Sequence, residues 1–94
     1  MYEEGLPAGM SSRDYDIEYR GAEEQSDGSY LHDDGSIMWY NEEGCYHRED
    51  GPAIILSFGR VEWCLNSEAY EFADWLIKLN KPDEVKMLLR LQYV

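Results

Sequence analysis

The pattern of apolar and polar positions changes twice along this chain. In Asp14-Tyr15-Asp16-Ile17-Glu18-Tyr19-Arg20 the two classes alternate. That is the period of a half-buried strand, with Tyr15, Ile17 and Tyr19 inward and Asp14, Asp16 and Glu18 outward. Gly21 to Gly28 is polar and predicts a loop. The pairs Asp27-Gly28, Asp34-Gly35 and Asp50-Gly51 then punctuate short β-prone runs at Ser36 to Tyr40, Ala53 to Phe58 and Arg60 to Asn66. Asp-Gly between such runs signals a hairpin, because glycine takes positive φ at no steric cost.

From Phe72 the period becomes helical. Phe72, Trp75, Leu76 and Leu79 fall at i, i+3, i+4 and i+7, the stripe of an amphipathic helix. Asn80-Lys81-Pro82 interrupts it, and Pro82 opens a second helix with Asp83 and Glu84 in its first turn, where acids favour the dipole. This helix carries two apolar stripes, Val85, Leu88 and Leu89 on one side and Met87, Leu91 and Val94 on the other. The second stripe is a candidate contact with a partner or a second copy.

Together these elements predict an α+β fold. It is an antiparallel β-meander capped by two short C-terminal helices, within one domain over 1–94. Residues 1–28 form an acidic N-terminal segment with one strand, 29–70 the hairpins and 71–94 the helical cap. The expected core is Tyr15, Ile17, Tyr19, Ile37, Trp39, Ile55, Val61, Trp63, Leu65, Phe72, Trp75, Leu76 and Leu88.

An internal repeat runs through the hairpins. Gly35-Ser36-Ile37-Met38-Trp39-Tyr40-Asn41 aligns with Gly59-Arg60-Val61-Glu62-Trp63-Cys64-Leu65, which places Trp39 and Trp63 in equivalent core slots. Such a period suggests stacked hairpins that bury their faces on one another. The segment from Trp39-Tyr40 to His47-Arg48-Glu49-Asp50-Gly51-Pro52-Ala53 resembles the MORN-like repeats of bacterial and phage proteins, including the antitoxin-like MORN-variant family. The resemblance covers residues ~28–72. The second unit keeps Trp63 but has Cys64 in place of tyrosine, Ser67-Glu68 in place of glycine and Glu71-Phe72 in place of His-Arg. The tail is similar to the ends of small tailed-phage proteins. The resemblance implies a hairpin-repeat scaffold with an interaction role, and hands over no catalytic residues.

Charge sharpens the picture. The chain has 20 acids and 8 bases, a net of −12. Residues 1–59 hold 14 of the acids and three of the bases. Such a surface repels nucleic acid and anionic membrane and steers toward basic partners. Asp14, Asp16, Glu18, Glu23, Glu24, Asp27, Asp33, Asp34, Glu42 and Glu43 are therefore the candidate partner-binding acids, placed to imitate a phosphate backbone. The same row also fits a solvated sheet face.

Other chemistries fit less well. The start has neither the basic nor the apolar region of a signal peptide, and no run approaches the ~20 apolar residues of a membrane span. A cytoplasmic protein with free thiols at Cys45 and Cys64 is expected. His32, Cys45, His47 and Cys64 match no familiar zinc spacing, and no nucleophile has an orienting partner in sequence. The expectation is a non-enzymatic, cofactor-free inhibitor, phage-encoded, that blocks a basic nucleic-acid-binding surface on a host nuclease or defence complex. The alternative is an antitoxin-like or structural module acting through the apolar C-terminal helix, with a homodimer as one form of it.

Overall fold

A computed structural model describes residues 9–93 of the chain. The order is α1 (Ser12–Arg20), β1 (Glu23–Glu24), β2 (Tyr30–Leu31), β3 (Ile37–Met38), β4 (Ile54–Ile55), β5 (Val61–Leu65), β6 (Glu68–Tyr70), α2 (Phe72–Lys78) and α3 (Asp83–Tyr93). The six strands form one antiparallel meander in sequence order, as the hairpin signals predict.

One turn builds most of the meander. At residues 25–29, 32–36, 41–45 and 56–60 the N–H of the fourth residue donates to the first carbonyl, and the first N–H donates to the fifth carbonyl. The fourth residue is always a glycine with φ between 83° and 100°, the geometry of a type I turn closed by a glycine bulge. Asp27, Asp34 and Asn41 brace three of these turns by accepting from the backbone N–H two residues on. The β5–β6 hairpin differs: Asn66 and Ser67 both take positive φ in a two-residue turn. Asp50-Gly51 is no hairpin turn. Gly51 is buried, and a methyl group there would meet the guanidinium of Arg48 and the hydroxyl of Tyr93.

The segment expected as an acidic strand is α1. Two residues outside the alternating run decide this. Ser11 caps the N-terminus, its Oγ accepting from Asp14 N at 3.1 Å. Gly21 closes the C-terminus in the left-handed region, where a side chain would be strained. Seven alternating residues also contain i, i+4 pairs, and the helix uses them: the Tyr15 and Tyr19 rings lie 4.9 Å apart. Ser12 and Asp16 are the residues it buries, while Ile17 and Tyr19 are exposed. The expected loop from Gly21 to Gly28 likewise contains β1.

Helices lie on both faces of the sheet, at opposite ends. Met38, Ile54 and Cys64 point to one face and, with Ala53, Tyr40, Tyr46 and Leu56, form the first core cluster. Asp16 of α1 bonds Tyr40 and Tyr46 on this side. Trp63, Leu65 and Tyr70 point to the other face and pack on Trp75, Leu76, Leu79 and Leu89 of α2, α3 and the segment between them.

This layering corrects the expected core. Ile37, Ile55 and Val61 do share the face of Trp63, but Val61 is exposed and the two isoleucines are only half-buried. The fully buried positions of β3, β4 and β5 are Met38, Ile54 and Cys64, on the opposite alternation. Trp39 and Trp63 do not occupy equivalent slots. The Arg48 guanidinium lies 3.7 Å over the Trp39 ring, whereas Trp63 meets Phe72, Trp75 and Tyr93 at 4.7, 4.7 and 5.1 Å. On α3 the expected core residue Leu88 is 64% exposed, and Leu89, placed with it on one stripe, is the residue that is buried.

Candidate functional site

The acids regroup around α1. Ser12 and Asp16 face the sheet, and Asp14 and Glu18 are exposed. At about 100° per residue, Asp14 and Glu18 lie on the side of the helix away from the buried pair, one turn apart. The turn at 41–45 abuts the start of α1, where Arg13 N donates to Gly44 O at 2.9 Å. The turn at 32–36 abuts its end, where Asp33 N donates to Arg20 O at 3.2 Å. Each turn carries two exposed acids, Glu42 and Glu43 at one end, Asp33 and Asp34 at the other. Six exposed carboxylates thus gather as an acidic ridge, two on a helix of about 13 Å and two in the turn at each of its ends. Glu23 and Glu24 on edge strand β1 and Asp27 in the next turn are exposed beyond it. Arg13 Nε lies 3.9 Å from the Asp14 carboxylate.

Asp16 does not belong to that surface. It is 1% exposed, so it cannot touch a partner. Its Oδ2 accepts from the Tyr40 hydroxyl at 2.6 Å and the Tyr46 hydroxyl at 2.8 Å. Burial, then the bond and charge of Asp16, push the Tyr40 hydroxyl well above the ordinary tyrosine range, and burial does the same for Tyr46. His32, 3% exposed, places Nε2 3.1 Å from the Tyr40 hydroxyl. Tyr40 gives its proton to Asp16, so His32 Nε2 is the donor in that contact. The Nδ1 of His32 is then the lone-pair nitrogen, buried with no hydrogen-bond partner among the described residues. Burial holds the imidazole pKa below its usual value. This network fastens the ridge helix to the sheet. Nothing local in the sequence marks it, since Tyr40 and Tyr46 lie 24 and 30 residues from Asp16.

The stretch that carries the MORN-like resemblance is occupied with intramolecular work. His47 Nδ1 accepts from Asn66 N at 3.0 Å, and its Nε2 bonds Glu49 at 3.1 Å. Lys81 meets the other oxygen of Glu49 at 3.0 Å, and these two bonds lower the Glu49 pKa. Arg48 donates to Asp50 at 2.7 Å and to Pro52 O at 3.1 Å, and its own carbonyl accepts from Trp75 Nε1 at 3.1 Å. These contacts tie the β3–β4 connection to the β5–β6 turn, to α2 and to the segment after it.

The remaining candidates disperse. Cys45 and Cys64 are free, and burial raises the Cys64 thiol to about 12, far from a nucleophile's range. Among the described residues no three His, Cys, Asp or Glu side chains converge to hold a metal. No helix among them is long and apolar enough to cross a membrane. Met87 and Leu91 are exposed on α3, and Val94 lies outside the described residues. Compared with protein-family models, curated protein sequences and solved structures, the chain matches none.

Proposed function

We propose that this is a non-enzymatic binding protein whose acidic ridge occupies a basic, nucleic-acid-binding surface of a partner protein, as an inhibitor of a nuclease or defence complex would. The observation that carries the reading is the gathering of six exposed acids, Asp14 and Glu18 on α1 and Glu42, Glu43, Asp33 and Asp34 in the turns at its two ends. A row of carboxylates on a rigid element meets a groove shaped for phosphates without the cost of ordering a flexible tail. The buried Asp16 network supplies the rigidity. The repeated glycine turn supports treating the hairpins as MORN-like units, a scaffold that presents the ridge in the cytosol of a bacterial host.

The test is capture from bacterial lysate at low salt, followed by release with excess duplex DNA or with high salt. A basic nucleic-acid-binding protein released by both is the expected result, because the attraction is screened and DNA competes for the same groove. Glu18→Lys with Glu43→Lys, shown folded by circular dichroism, should no longer retain it. A complex that survives high salt and the double reversal would overturn the proposal.

A further inference from the structure

We infer that α3 is the site of pairing with a second copy of this chain, by an isologous antiparallel contact. The helix has two opposed apolar faces. Leu89, 5% exposed, and Tyr93 turn toward the Trp75 cluster. Met87, Leu88 and Leu91, exposed by 60%, 64% and 76%, lie on the far side. Ile77 of α2, 72% exposed, adds to this surface. Between α2 and α3 runs a depression of about 420 Å³ lined by Leu76, Ile77, Asp83, Lys86, Met87 and Arg90. An unpartnered apolar helix face beside a groove marks an interface.

Charge selects the occupant. The chain carries −12, so a second copy approaching the acid-rich end is repelled. The α2–α3 segment is the exception, because residues 72–93 hold three acids (Asp74, Asp83, Glu84) against four bases (Lys78, Lys81, Lys86, Arg90). Two copies meeting there incur the least of that penalty. On α3 the acids sit in the first turn and Arg90 in the last. An antiparallel two-fold therefore brings Asp83 and Glu84 of each copy toward the basic end of the other, and opposes the two helix dipoles. Leu91 projects on the same helix that borders the groove, so each copy offers both a knob and a hole. A patch of four side chains falls short of the roughly 800 Å² per partner of a standard interface, so the dimer is weak and depends on concentration.

Sedimentation velocity over a concentration series decides the matter. Wild type should move from 11.0 kDa toward twice that mass as concentration rises. Added salt should strengthen the dimer by screening the repulsion between the acidic bodies, the opposite of its effect on the ridge complex. Met87→Glu with Leu91→Glu alters exposed positions, should melt like wild type, and should remain monomeric throughout. A wild type that stays at 11.0 kDa at every concentration would overturn the inference, as would self-association that the double variant retains. A monomeric wild type that loses its captured partner on the double substitution would give this face to that partner, and so also refute pairing.

Discussion

The hydroxyl of Tyr40 donates to Oδ2 of Asp16 at 2.6 Å, joining β-sheet to helix across 24 residues of chain. Tyr46 shares the same oxygen at 2.8 Å. A buried hydrogen bond to a charged group contributes roughly 1.5–3 kcal/mol, and removing the charge strands both hydroxyls. Asp16→Ala should therefore cost about 3 kcal/mol and lower the melting midpoint by roughly 12 °C or more. Tyr40→Phe leaves Tyr46 in place and should cost about half as much. Thermal unfolding followed by circular dichroism measures both. A midpoint unmoved in Asp16→Ala would mean that α1 is held by other contacts.

His32 makes stability depend on pH. Its folded pKa lies below the ordinary 6.5 because burial penalises the imidazolium, against the partial compensation of the Asp16 charge. The unfolded chain therefore takes up a proton more readily than the folded one. The contribution is fully present above the unfolded pKa and is lost as pH falls through the folded one. Asp27, Asp34 and Glu49 have lowered pKa values and act with the same sign, but from the carboxylate range downward. Urea midpoints should accordingly fall between about pH 7.5 and about pH 5.5, before the carboxylates titrate. His32→Asn should flatten that interval. A slope retained in the variant would place its origin elsewhere.

Gly44 and Gly28 occupy the same position of the same turn, with φ of 83° and 90°, yet only one of them touches α1. A methyl group at Gly44 would overlap Oγ and Cβ of Ser11, the residue that caps the helix. At Gly28 it would meet nothing within 4 Å. Gly28→Ala should cost only the left-handed strain, about 1–2 kcal/mol. Gly44→Ala should add the loss of a cap, about 1 kcal/mol, and some helix signal. Equal costs in denaturant unfolding would show that the turn does not position α1.

The hairpins were legible because their requirement is local. Asp27-Gly28 and Asp34-Gly35 state the turn within two residues, and Pro82 marks the break between the terminal helices in the same way. The two-sided character of α3 could also be read from its spacing, although Leu89 and not Leu88 faces inward. The run at 14–20 misled because period two and period four coexist in it, and the capping residues stand just outside. Ile37 and Val61 misled for a different reason. With helices on both faces of the sheet, each alternation finds some cover. The more apolar set is then not the deeper one, and Cys64 is buried more completely than Trp63.

By itself the sequence determined the charge imbalance, the turns at Asp27-Gly28 and Asp34-Gly35 and the presence of two helices after Phe72, since each depends on residue identity or on backbone preferences a few positions wide. Only the tertiary structure decided which acids face solvent. Whether a carboxylate can be desolvated depends on donors supplied by distant segments. Asp16 has Tyr40 and Tyr46 and is buried, while Asp14 and Glu18, on the same helix, point away from those donors and form the ridge.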